Sequence, residues 1–162
     1  MNIEVVSQVV IDLYSKAYKK DPEILDKFFF IKNENPVGTS PLALTDIRSN
    51  ISLFMNWGTH AKAQAYTEVV LCLEIVSREV SAKDIQDCLT NFNTETPALY
   101  PDSMRVKLLT FTYFNLVNGQ ISIYYKEVKN NILQDSIHKF KLEEVTGMLQ
   151  VLIGAFLQGW QL

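Results

Sequence analysis

Side chains that commonly do chemistry are sparse in this chain of 162 residues. Its two histidines, His60 and His138, lie far apart, and neither has the HxxxH or HxxE spacing that sets two ligands on one helix face. Both are expected to be exposed or helix-terminal. Cys72 falls in an apolar run and Cys88 on the inner face of an expected helix, with no CxxC. The pair reads as buried, reduced thiols, since a nucleophile or metal ligand needs a polarising neighbour. The glycines Gly38, Gly58, Gly119, Gly147, Gly154 and Gly159 form neither GxGxxG nor GxxxxGK[ST], so no phosphate-cradling loop is expected. Asp84/Asp87 and Glu143-Glu144 read as outer faces of amphipathic helices, and Asp46 with Arg48 as at most an isolated ion pair. Carboxylates that work as acid and base must converge on one pocket, which residue types alone do not show. No catalytic residue, cofactor or metal ligand is assigned, and the expectation is a protein that is not an enzyme.

Large aromatic side chains are the other candidates. Aromatic anchors dominate protein interfaces, and Phe28, Phe29, Trp57, Phe156 and Trp160 are the residues expected to touch a partner. The run Phe28-Phe29-Phe30-Ile31 puts bulk in every direction, so it either enters the core as a short strand or stays partly open to a partner. Trp160 lies two positions from the end of the chain, where docking against a second subunit is expected. Gly154 and Gly159 would let another helix approach closely.

These residues need a scaffold, and composition bounds it. The chain is 48% apolar and 20% charged, with a net charge of -3, which is ordinary globular composition in the size range of one domain, 1–162. The densest basic spots, Lys19-Lys20 and His138 to Lys141, sit beside acids and read as solvated helix ends, so nucleic acid is not an expected partner. No signal peptide is expected from the first residues. The longest apolar run, near Met148 to Leu157, falls short of the roughly 20 residues that span a bilayer, so no membrane insertion is expected. With two cysteines and no secretory signal, the expected location is cytoplasmic.

The spacing of Ile3, Val6, Val10, Leu13 and Ala17 predicts a helix from about Asn2 to Lys19. Asp21-Pro22 is a start signal for a short helix to about Lys27. Asn33 to Ser40 reads as a loop by composition. Ser40-Pro41 could cap a helix over Leu42 to Met55, ended by Gly58, although Ile51 to Trp57 could be a strand. Between Ala61 and Val80 the absence of Gly and Pro favours a helix, while the β-branched run from Thr67 to Val76 favours a strand; the strand is preferred. Ser81 and Asp84 form a capping box for a helix to Phe92, followed by a loop from Asn93 to Ser103. The strongest local signal is a hairpin, Met104 to Val128, turning at Asn118-Gly119; its rival is a helix over Ser103 to Asn118. Lys141 to Leu162 is predicted helical, with Leu142, Val145, Leu149, Leu152, Phe156 and Trp160 inward. The expected class is α+β, an antiparallel sheet containing the 104–128 hairpin and packed with amphipathic N- and C-terminal helices; the alternative is all-α.

The layout of capped helix Ser81 to Phe92, hairpin through Asn118-Gly119, and final helix ending Phe156-Leu157-Gln158-Gly159-Trp160 resembles the type III secretion chaperone-like fold. That resemblance covers about half the chain and implies a small acidic binding protein, a homodimer holding a polypeptide segment, without a catalytic site. The segment Pro22 to Asn50 looks more helical than that family expects. The expected function is chaperone- or adaptor-like binding of a protein partner. A structural subunit with an all-helical fold, and a small enzyme or ligand carrier, are the alternatives.

Overall fold

The run Val69-Val70-Leu71-Cys72-Leu73 is apolar on both faces of a strand, so it needs a cover on each side. It has both in the computed structural model, which describes residues 3–77, 106–141 and 147–161. Helix α1 (Ile3–Lys20) leads into β1 (Asp26–Lys32) and β2 (Asn35–Leu42), then helix α2 (Ile47–Ala63) and β3 (Glu68–Ser77). The chain continues through β4 (Val106–Asn115), β5 (Ile121–Lys129), the short strands β6 (Ile132–Leu133) and β7 (His138–Lys139), and helix α3 (Gly147–Gln161). Among the described residues, seven strands form one antiparallel sheet in the order β2-β1-β3-β4-β5-β6, with β7 also on β5. The class is α+β, and the hairpin is present, pairing Lys107 with Val128 through Phe114 with Ile121. The all-α alternative is excluded.

Alternation along the strands decides which helix covers what. Phe28, Phe30, Val69, Leu71, Leu73, Phe114 and Ile123 pack with Phe54 of α2 and Leu149, Leu152, Ile153 and Phe156 of α3. Phe29, Ile31, Val70, Cys72, Leu109, Phe111 and Tyr113 pack on the opposite side with Val10, Ile11, Tyr14 and Tyr18 of α1. The result is three layers, with two helices on one face of the sheet and one on the other.

Several local expectations are corrected. Pro22 to Lys27 is a turn and the start of β1, not a helix. Asn33 to Ser40 is mostly β2, not a loop: Asn33 (φ 49°) and Glu34 (φ 67°) make a two-residue turn between the paired Lys32 and Asn35. Pro36 and Pro41 are tolerated because β2 is the edge strand and pairs only with β1. The next helix therefore starts later, at Ile47, where the Asp46 carboxylate accepts from the Ser49 backbone N–H (2.9 Å) and hydroxyl (2.8 Å). Asp46 is thus an N-cap rather than a partner of Arg48. In α1 the inward positions are Val10, Ile11, Tyr14 and Tyr18, while Leu13 is 58% exposed. The long tyrosines take the core-facing turn because their hydroxyls reach acceptors at its edge. The Asn118-Gly119 turn is a four-residue loop, with Asn115 bonded through its N–H to Gln120 and through its carbonyl to Gly119, and the positive φ falls on Gly119 (76°). His138 to Lys139 lies in a short strand, not at a helix end. The expected helix Ser81 to Phe92, Cys88 and the loop Asn93 to Ser103 lie outside the described residues, as do Leu142 to Thr146.

Gly58 does not end α2. It sits where α2 crosses α3: a Cβ there would lie 2.0 Å from the Phe156 carbonyl oxygen, and one at Gly159 would lie 1.9 Å from the Met55 carbonyl oxygen. Thr59 Oγ1 also donates to the Gly159 carbonyl at 3.1 Å. The helix actually stops at Gln64, with Ala65 left-handed (φ 53°), its N–H bonded to Lys62 and that of Tyr66 to Ala61. This is a Schellman closure made without glycine.

Gly58→Ala and Gly159→Ala should each cost about 2–3 kcal/mol in urea unfolding, because the methyl meets backbone that cannot yield locally. Gly154→Ala, where nothing lies within 4 Å of the added Cβ, should be neutral or stabilising. Ala65→Gly should stabilise by about 0.5–1 kcal/mol, since glycine adopts the left-handed conformation without the Cβ penalty; an unchanged midpoint would mean that the αL strain at Ala65 is negligible.

Candidate functional site

Helix α3 contains no charged residue over its 15 positions, GMLQVLIGAFLQGWQ. Leu149, Leu152, Ile153, Ala155, Phe156 and Gly159 are buried toward the sheet and α2. A helix that is half buried normally carries charges on its other half. Here the outer half holds Met148 (44% exposed), Val151 (41% exposed), Gly154 and three glutamines. It is a neutral, partly apolar strip on a helix packed closely against α2.

The expected interface aromatics divide in two. Phe28, Phe29 and Phe156 are 0, 9 and 0% exposed, so they fill the chain's own core and offer no surface. Strand alternation sends Phe28 to the α2/α3 side and Phe29 to the α1 side, and Phe156 closes on Phe28 (5.5 Å) and Phe114 (4.6 Å). Trp57 and Trp160 remain half-buried at the helix layer. Trp57 lies on Phe30 (5.3 Å) and meets His60 edge-on (5.3 Å), while Tyr66 stacks on Phe30 at 4.9 Å. His60, in the last turn of α2, is therefore a partly covered member of an aromatic cluster, with its Nε2 3.4 Å from the Tyr66 hydroxyl. His138 is exposed and stacks on Tyr125 at 5.1 Å. Gly159 serves a close approach within the chain, whereas Gly154 stays on the open side of α3. Met148 and Val151 were not among the expected contact residues; the signal available for them was the missing charge between Gly147 and Gln161.

Ionisable groups gather on the other face, at the C-terminal end of α1. The Tyr18 hydroxyl donates to Glu74 Oε2 at 2.6 Å, and Lys107 Nζ lies 3.7 Å from Glu74 Oε1. Asp26 Oδ1 accepts the Glu74 backbone N–H at 2.9 Å. Burial pushes the Asp26 carboxyl up to about 6; the bond from the Glu74 N–H opposes this, and the Glu74 charge adds to it. Burial likewise raises the Tyr18 phenol, helped by Glu74, and raises the Cys72 thiol well above its usual range, so Cys72 is an inert core residue. A cleft of about 390 Å³ nearby is lined by Tyr18, Lys19, Pro22, Asn131, Ile132 and Asp135, with Lys19 and Asp135 paired at 2.6 Å. Asp26 and Glu74 do not line it, so the two carboxylates and the cleft are separate features.

Among the described residues, no group of three or more His, Cys, Asp or Glu is placed to hold a metal ion. None of their helices is long and apolar enough to cross a membrane. Among the described residues, the fold is a three-layer α+β arrangement with an uncharged helix flank on its α2/α3 side. No family model, curated protein or solved structure matches the chain.

The raised Asp26 carboxyl means that the folded state holds this proton more tightly than the unfolded chain. Its contribution to stability is thus fully present below the ordinary value of 3.8 and is lost as the pH rises through about 6. Asp26→Asn keeps an oxygen for the Glu74 N–H and removes the buried charge. It should stabilise the protein by about 2 kcal/mol at pH 7, with the gain shrinking toward zero near pH 4. Paired urea titrations at the two pH values measure this; an equal effect at both would show that Asp26 ionises normally.

Proposed function

We propose that this chain is a cytoplasmic, non-enzymatic protein-binding protein of chaperone or adaptor type, which holds a partner polypeptide or another subunit on its α2/α3 layer. The observation that carries this reading is the uncharged α3, with Met148 and Val151 exposed along a helix locked in place at Gly58 and Gly159. Neutral, partly apolar helix flanks favour contact with another apolar surface over solvent, and the half-buried Trp57 and Trp160 supply aromatic anchors beside it. The chaperone form of the reading rests on the resemblance of the sequence layout to type III secretion chaperones, of which the helix Ser81 to Phe92 lies outside the described residues.

A second reading, a small enzyme or ligand carrier, is favoured by one feature: the Tyr18–Glu74–Asp26 constellation with its raised carboxyl. It ranks lower because only Tyr18 of the three lines the described cleft, and neither carboxylate reaches it.

The test compares tagged wild-type chain with Val151→Glu in a native pull-down from its own cells, with the mass of the eluted complex measured by light scattering. Wild type should emerge with a stoichiometric companion or as a multimer, and Val151→Glu should lose it at least tenfold while keeping the wild-type unfolding midpoint. A wild-type monomer without a companion, or a complex indifferent to Val151→Glu, would sink the proposal.

A further inference from the structure

Two side chains on the α1 face of the sheet are buried without the hydrogen bonds they need. Glu68 and Tyr113 are each 5% exposed, yet Glu68 Oε2 and the Tyr113 hydroxyl have no hydrogen-bond partner. They belong together. Glu68 pairs with Asn115 and Val70 with Tyr113, so Glu68 and Tyr113 are diagonal neighbours on adjacent strands and point to the same face. Burial raises the Tyr113 phenol, and Glu68 and Asn115 lie near enough to act on it, but neither contact has hydrogen-bond geometry. The Asn115 side-chain oxygen is already committed to the backbone N–H groups of Val117 (3.0 Å) and Asn118 (3.2 Å). A third orphan atom, Thr112 Oγ1, is one residue along β4 and so faces the other side of the sheet.

Leaving a carboxylate oxygen and a phenol buried and unmatched costs each group its hydration without replacing it, and the charged one loses more. Among the described residues no cation acts on Glu68: burial and the charge of Glu34, in the exposed turn between β1 and β2, push its carboxyl up, and only the neutral Tyr113 hydroxyl opposes them. A fitting ligand must therefore bring positive charge and at least two N–H donors, one for Glu68 Oε2 and one for the oxygen of Tyr113. One carboxylate, one phenol and a committed amide are too few oxygens for calcium, which takes six to eight. They also lack the nitrogen and sulfur ligands that zinc prefers. A primary ammonium group fits both requirements, with three donors on a compact charge.

We propose that Glu68 and Tyr113 form a binding site for a protonated primary amine, approached past Glu34, and that a lysine side chain or a small free amine occupies it. This site is on the opposite face of the sheet from α3 and does not depend on the partner-binding reading.

The test titrates the full-length protein, ¹³C-labelled at glutamate side chains, with n-butylammonium chloride. Tetramethylammonium chloride supplies the same charge without N–H donors. Butylammonium should shift the Glu68 carboxyl resonance saturably at millimolar concentrations and raise Tm, and tetramethylammonium should do neither. Glu68→Gln should weaken the binding at least tenfold and Tyr113→Phe several-fold, both read as the Tm shift. A lysine-containing peptide and its acetylated form separate the sources: tighter binding of the unmodified peptide than of butylammonium indicates a polypeptide lysine, and equal binding indicates a free amine. The wild-type carboxyl shift needs no substitution, so it decides the matter even if Glu68→Gln does not fold. No saturable shift with butylammonium, as expected if the Tyr113 hydroxyl simply closes onto Glu68, overturns the proposal, as does an equal response to tetramethylammonium.

Discussion

Burial of β3 on both faces is the constraint from which the rest of the architecture follows. Val69, Val70, Leu71 and Cys72 are fully buried and Leu73 is 1% exposed. Each large apolar side chain removed from water contributes about 1.5–3 kcal/mol, so neither face of this strand can be left open. β1 and β4 flank it in register, extending both apolar faces sideways. One helix cannot cover a sheet of this width on two sides. The chain therefore spends α1 on one face and the α2/α3 pair on the other, and the aromatic run Phe28-Phe29-Phe30 serves both layers by alternation.

The second constraint is how closely α2 and α3 approach each other. With no Cβ at Gly58 or Gly159, the backbone of each helix lies against the other, and this contact fixes the rotation of α3 about its axis. Rotation then determines which residues are left outward. Phe156 and Leu152 go into the core, and Met148, Val151 and Gly154 remain on the surface. The neutral flank is thus a consequence of packing on the other side of the same helix.

The buried carboxyl groups, Asp26 and Glu68, lie on the α1 face of the sheet, and its two ends handle them differently. Near the C-terminus of α1, Tyr14 donates to the Leu25 carbonyl at 3.0 Å and Tyr18 to Glu74, so each phenol entering the core edge has an acceptor. Asp26 is held there by a single backbone N–H and carries a raised pKa. At the other end of the same strands, Glu68 and Tyr113 lack such partners. Low dielectric strengthens a satisfied polar group and penalises an unsatisfied one, so the first end stabilises the fold while the second costs it stability.

Local signals made much of the fold legible. The β-branched run Thr67 to Val76, the strand pair around Asn118-Gly119, and the amphipathic first and last helices all appear where periodicity and composition place them, because in each case local preference and burial agree. The edge strand β2 was not legible: Pro36, Gly38 and Pro41 mimic a loop, and only its position at the rim, with one side needing no hydrogen-bonded neighbour, makes a strand of them. Nor could spacing tell core aromatics from surface ones; Phe28 and Trp57 look alike in sequence, and only the alternation of a strand against a particular helix buries one and leaves the other half-open. The unmatched Glu68 and Tyr113 were equally invisible, since they lie on strands separated by a long stretch of chain. Sequence by itself determined the types of the elements whose local preference and burial agree, the first and last helices, β3 and the β4/β5 hairpin, because these depend on neighbours a few residues away. Tertiary structure alone decided which faces met, which glycines became contacts and which polar groups were left unpaired, because those outcomes depend on residues distant in sequence being brought together.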